Sequence, residues 1–207
     1  MSVPRLATVR PELKKVVQVS LGIQSAFHES RQVASEEATE PTPPSQAGWV
    51  IPQAAEKSEV TFAIILSGGA TQISYEGVYS RLAAESDSSA DALSIEECLK
   101  RVRKHRARDY DFKKHFAAMP CPALWLYGDR DRSNPSQLCI ELIESIAQKH
   151  DKDFRIARFP EANHGLWQCR LGGSAEYPTL TQMAPGIDKT IGSWLNEKGL
   201  AARMPER

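Results

Sequence analysis

Three residues of catalytic type stand in the order serine, aspartate, histidine. Ser45 lies in Pro-Ser-Gln-Ala-Gly-Trp, Asp131 in Gly-Asp-Arg-Asp-Arg-Ser-Asn-Pro, and His164 in Pro-Glu-Ala-Asn-His-Gly-Leu. Brought into contact, a hydroxyl, an imidazole and a carboxylate can transfer acyl groups. The serine oxygen attacks, the imidazole takes its proton, and the carboxylate holds the imidazole in one tautomer. Each residue also has a plainer reading. A serine after prolines caps a helix, Asp129 shares the turn of Asp131 and competes with it, and a histidine in a loop is commonplace. His28, His105, His115 and His150 read as surface or helix residues. No grouping of His, Cys and carboxylates has metal-ligand spacing. Cys98, Cys121, Cys139 and Cys169 are scattered, with no CxxC pair, and read as small buried hydrophobes.

The elements that must position these residues alternate in type. Val60–Leu66 (VTFAIIL) and Ala123–Tyr127 (ALWLY) are unbroken apolar runs, as in strands covered on both faces, and Phe154–Phe159 (FRIARF) reads as a third strand. Gln46–Glu56 reads as a helix that Pro52 should kink or stop early. Asn134-Pro135 predicts a helix start, Asn as cap and Pro as first residue. Leu138, Leu142 and Ile146 form the apolar stripe of that helix, with Cys139, Ile143 and Ala147 alongside. Ile187, Ile191, Trp194 and Leu195 predict a last amphipathic helix ending near Gly199, after a loop over 165–182.

Residues 71–119 form a mainly helical insert containing a polar loop at Glu85–Asp91. Within it, Ser94 and Glu97 make a capping-box signature ahead of a helix that places Ile95, Cys98, Leu99 and Val102 on one face. Its basic side, Lys100 to Arg108, lacks interleaved aromatics and reads as a solvated face rather than a nucleic-acid footprint. Strand–helix alternation from Ser45 onward predicts an α/β class with a mostly parallel sheet and flanking helices. Chemistry in such sheets sits at the carboxyl ends of the strands.

Residues 1–44 differ in character. Lys14–Ile23 reads as one strand, Glu29–Glu40 as a polar helix or disordered stretch, and Pro41-Thr42-Pro43-Pro44 as stiff extended chain. Over its 207 residues the chain is 41% hydrophobic and 25% charged, enough for one globular core. Its 26 basic residues balance 26 acidic ones, which gives no reason to expect nucleic acid or a membrane surface as partner. No apolar run approaches the ~20 residues of a bilayer span, and no signal-type block follows the N-terminal cations. The expected location is the cytoplasm.

Four segments carry a family resemblance. "SQAGWVIPQAA" resembles the nucleophile turn and following helix of α/β-hydrolases near the dienelactone-hydrolase and acyl-peptidase groups. "FAIILSGGA" resembles their next strand, "PALWLYGDRDRSNP" their strand and acid turn, and "FPEANHGL" their histidine loop. The order Ser, Asp, His is theirs as well. The resemblance runs from Ser45 to about Trp194. It implies a partial α/β-hydrolase fold, the C-terminal half, over 45–207, with the insert placed as a lid. It also implies an esterase or peptidase-like serine hydrolase, with Ser45 as nucleophile, His164 as base, Asp131 as acid and the backbone N–H of Gln46 as one oxyanion donor. A small ester or peptide-like molecule is the implied substrate, with no cofactor.

The chain departs from the family in two places. The nucleophile turn G-x-S-x-G is here Pro43-Pro44-Ser45-Gln46-Ala47, and a proline cannot donate to a central ladder. Forty-four residues also cannot hold the strands and the second oxyanion loop that precede the family's serine. The expectation is a truncated or altered N-terminal half. A rival expectation is an inactive remnant or binding module with an open strand edge.

Overall fold

The structure, a computed structural model, describes residues 45–84 and 93–200 together with the backbone of Val16–Val19. The readings of Glu29–Glu40, Pro41–Pro44, Glu85–Asp91 and His28 fall outside the described residues. The described strands are β1 (Val16–Val19), β2 (Phe62–Leu66), β3 (Ala123–Gly128) and β4 (Phe154–Phe159). They form a four-stranded parallel sheet in the order β1-β2-β3-β4. Parallel neighbours need crossovers, and helices supply them. Between β2 and β3 run α2 (Ile73–Ala83), α3 (Ile95–Val102) and α4 (Lys113–Ala118), the expected insert. Between β3 and β4 runs α5 (Ser136–His150), and α1 (Gln46–Lys57) and α6 (Ile187–Glu197) complete the layers.

Side-chain alternation sorts the core into two faces. Ala63, Ile65, Ala123, Trp125 and Tyr127 pack with α1, α4 and α5 on one side. Phe62, Ile64, Leu124 and Leu126 pack with Ile187, Ile191, Trp194 and Leu195 of α6 on the other. Every residue of β3 is buried, which is why it reads as an unbroken apolar run. Tyr79 and Ala83 of α2 pack with Cys98 and Val102 of α3 and Leu138 of α5 as a satellite cluster. This places the insert over the start of α5.

Three local expectations change. α1 does not stop at Pro52 but runs to Lys57. Ile51, Pro52 and Ala55 are all buried, and that burial outweighs the missing backbone donor. The cap of α5 is Pro135 rather than Asn134, whose side chain turns inward to the carbonyl of Ser67 at 3.2 Å. Ser94 Oγ accepts from Glu97 N at 3.1 Å, but the Glu97 carboxylate faces Arg101 at 2.9 Å instead of closing a capping box. On the basic side of this segment, Lys100 and Arg101 lie on Glu97 at 3.9 and 2.9 Å, and Arg103 on Glu141 at 2.6 Å. The loop over 165–182 contains a 3-10 helix, Ser174–Thr179. Among the described residues, no helix is long and apolar enough to cross a membrane.

Candidate active site

Register sets the site. Gly128 faces Phe159 across the β3–β4 ladder, so the chain leaves both strands at one level of the carboxyl rim. Ser67, just past β2, donates to Leu126 O at 2.8 Å and joins the same rim. Gly128 lets the two outgoing loops touch: a Cβ there would lie 2.3 Å from Ala162 O and 2.5 Å from Asn163 O.

Asp131 is 1% exposed and fully engaged. Its Oδ1 accepts from the backbone N–H of Ser133 (2.8 Å) and Asn134 (2.9 Å), a local turn that its own sequence closes. Its Oδ2 accepts from Ser136 Oγ (3.1 Å) and faces His164 Nδ1 at 2.8 Å. Asp129, the competitor, points away to Arg158 at 2.8 Å. The Tyr79 hydroxyl donates to Asp131 O at 2.7 Å. Burial, and then the neighbouring carboxylate, push that phenol far above its ordinary value, so it stays a neutral donor.

His164 is itself buried, on a loop built by Asn163. Asn163 Oδ1 accepts from Gly165 N and Trp167 N, both at 3.0 Å, and Asn163 N donates to Trp167 O at 3.1 Å. Leu166 takes a left-handed φ of 59° to complete the turn. The arginines on either side of Asp131 hold neighbouring backbone. Arg130 reaches the carbonyls of Cys169 and Arg170, and Arg132 donates to Leu171 O (2.8 Å) and Ala83 O (2.7 Å). Arg132 thereby ties the insert to the histidine loop.

Ser45 stands immediately before α1 and is buried. It does not follow a described strand directly, since β1 ends at Val19. Its backbone is ordinary helical (φ −65°, ψ −33°), without the strain of a strand-to-helix nucleophile turn. Its hydroxyl makes no capping bond to α1. Among the described residues, no hydrogen bond joins Ser45 to His164 or Asp131. The link is indirect. Gly69 N donates to Ser45 O at 2.8 Å, and Asn134 Nδ2 and the Tyr127 hydroxyl hold the Ser67 and Gly68 carbonyls. A Cβ on Gly48 would lie 2.1 Å from Gly69 O, so α1 approaches that turn as closely as glycine allows. Gln46 is the first residue of α1, where amide groups lack intrahelical acceptors.

Thus the structure joins two of the three expected residues directly. Sequence reading missed Tyr79, Asn134, Ser136, Asn163 and Cys139. Cys139 Sγ donates to Asn134 Oδ1 and accepts from Ala70 N, both at 3.3 Å, and burial pushes its thiol up to about 11. All four cysteines are free and buried, as expected, but this one also bridges the two turns. The Ser-Asn-Pro-Ser run after Asp131 was the legible signal, since such residues close turns. Among the described residues, no three His, Cys or carboxylate side chains gather as for a metal ion. A cleft of about 190 Å³ opens beside the acid, between Tyr79, Ile95, Leu99, Ser136 and Arg158. Ser45 and His164 do not line it, so it is not where an acyl group would meet the serine.

No family model matches the chain, and no curated protein matches it. Solved structures show partial likenesses. An acylaminoacyl peptidase from Pyrococcus horikoshii shares 12% identity over 79% of this chain and 24% of its own, with a TM-score of 0.45. The carboxylesterase CesB from Bacillus subtilis shares 16% over 73% of this chain and 57% of its own, with a TM-score of 0.41. The esterase Pf2001 from Pyrococcus furiosus shares 10% over 73% of this chain and 50% of its own, with a TM-score of 0.42. The chain spans about a quarter of that peptidase, 57% of CesB and half of the Pf2001 esterase. Likenesses of this degree carry no argument about reaction or site. The α/β class stands on the chain's own sheet: parallel strands, helices on both faces and a small helical insert.

Proposed function

We propose that this chain is the acid- and histidine-bearing part of a serine hydrolase of the α/β-hydrolase type. It cleaves an ester or peptide-like acyl bond of a small molecule, with Ser45 as nucleophile. The observation that supports this reading most is the buried 2.8 Å contact between Asp131 Oδ2 and His164 Nδ1 at the carboxyl rim of a parallel sheet. When Nδ1 carries the proton it donates to the carboxylate, Nε2 is the basic nitrogen. Nε2 then takes the proton of Ser45 Oγ as the oxygen attacks the acyl carbon, and returns it to the leaving group. Water clears the acyl-enzyme by the same route in reverse. The Gln46 N–H, at the positive end of α1, serves the developing oxyanion, and the chemistry calls for no cofactor. Four free, buried thiols suit a cytoplasmic setting.

The test is labelling of the folded chain with a fluorophosphonate, the modified residue being located by peptide mass spectrometry. Labelling at Ser45 that disappears in Ser45→Ala, and falls roughly 1000-fold or more in rate in His164→Gln, is the expected result. A folded chain that leaves Ser45 unmodified rejects the hydrolase and favours a binding module.

A further inference from the structure

A second acid–imidazole–hydroxyl relay joins α1 to α4, and it uses none of the residues of the rim site. Glu56 Oε1 lies 2.5 Å from His115 Nδ1, and the Tyr110 hydroxyl lies 2.7 Å from His115 Nε2. One tautomer satisfies both contacts: Nδ1–H donates to the carboxylate, and Nε2 accepts from the phenol. The logic is that of a nucleophile oriented toward a base that a third group holds, with a phenol in place of an alcohol. The His115 and Glu56 side chains are partly shielded, whereas Tyr110 is 49% exposed. The phenol is therefore more open to solvent than its base.

The ring is held on two sides. Phe112 meets it edge-on at 4.9 Å and packs on Trp49 of α1 at 5.7 Å, and His115 stacks at 5.8 Å. Lys114 Nζ lies 5.2 Å from the ring centroid, a cation over the face of the aromatic ring. A hydrogen bond to Tyr110 raises the Lys114 ammonium above its ordinary value.

We propose that Tyr110 is a second nucleophile, O-acylated by activated acyl donors such as aryl esters or thioesters, independently of Ser45. Tyr110 Oη bonds to the acyl carbon, and its proton passes to His115 Nε2. The bond to the leaving group breaks, and the phenolate or thiolate departs with the electron pair. Solvent then takes the proton from His115. The products are one O-acyl tyrosine and one leaving group per chain, with no oxidant or reductant involved.

The test uses the full chain carrying Ser45→Ala, so that serine acylation cannot occur, treated with p-nitrophenyl acetate at neutral pH. Peptide mass spectrometry follows acetyl groups residue by residue. N-acetyltyrosinamide, added to the same reaction, is the reference phenol. An unassisted phenol near its ordinary pKa of about 10 is almost wholly protonated under these conditions. Tyr110 is expected to acetylate on the order of 10- to 100-fold faster than N-acetyltyrosinamide, at or below the usual gain from a positioned general base. His115→Gln should bring it down to the rate of the free phenol, and Glu56→Gln part of the way. Equal rates at Tyr110 and the free phenol would overturn the proposal even if the His115 variant failed to fold. So would a His115→Gln chain that acetylates Tyr110 as fast as the parent.

Discussion

Asp131 and His164 leave the sheet from paired residues of neighbouring strands, and four donors converge on the carboxylate. Ser45 has no such housing. It begins α1 in relaxed helical backbone, anchored through its own carbonyl to Gly69 N. The acid–base end is thus fixed by side chains, and the serine end by the close approach of two glycine-bearing backbones. Side-chain anchoring fixes the orientation of a polar group. Backbone anchoring fixes only where a residue sits, and leaves its hydroxyl to be oriented by other contacts.

Removing the side chains gives the largest expected effects and the clearest contrast. Asp131→Ala would strip the acceptor from two backbone amides, the Ser136 hydroxyl and His164 Nδ1, all buried. Each unpaired group costs about 1–3 kcal/mol, so a loss of at least ~3 kcal/mol is expected in urea denaturation. Ser45→Ala removes a hydroxyl that caps nothing, and should cost less than about 1 kcal/mol. If the two variants proved equally destabilised, the serine would be as firmly held as the acid, and the contrast would fail.

The same contrast governs what the sequence disclosed. The strands of the sheet, the stripe of α5 and the pairing of Asp131 with His164 were legible, because each is written in local pattern or in the order of motifs. The preference for Asp131 over Asp129 came from the family resemblance of the Gly128 turn, and in the structure Asp131 faces His164 while Asp129 faces Arg158. Tyr79 was not legible. It reaches Asp131 O from 52 residues away, on a helix whose pattern speaks only of burial. Asn134 was misread as a cap because Asn-Pro is a common helix start, whereas here a buried carbonyl of the β2 turn claims its side chain. Partners that are distant in sequence leave no local period, so they escape any reading of spacing.

Filling the two glycine contacts tests the backbone side of the comparison. A methyl at Gly128 would run into the carbonyls of Ala162 and Asn163, and one at Gly48 into that of Gly69. Neither neighbour is the free end of a flexible side chain, so each substitution to Ala should destabilise by about 1–3 kcal/mol in thermal melts. Gly128→Ala should disturb the acid–histidine contact, and Gly48→Ala the seating of Ser45. A Gly48→Ala chain as stable as the parent would show that α1 can slide away from the β2 turn. The serine would then have no fixed position relative to the pair.

Ser67 lies where the two regions meet, and substituting it gives the smallest expected effect, in the opposite direction. Its φ of 50° is left-handed, a conformation that costs a non-glycine residue about 1–2 kcal/mol. Its hydroxyl is buried and finds no partner among the described residues. Its backbone is fully used, with N donating to Leu126 O and the carbonyl accepting from Asn134 Nδ2. Ser67→Gly keeps both of those bonds and removes both the strain and the orphaned hydroxyl. Against this stands the greater freedom of glycine in the unfolded chain, about 0.5–1 kcal/mol. The balance is a gain of up to about 1 kcal/mol, or a Tm rise of roughly 2–4 °C. A fall in Tm would mean that the hydroxyl is bonded at this turn and helps hold it. The junction between serine and acid would then depend on side chains too, and the distinction between the two regions would narrow.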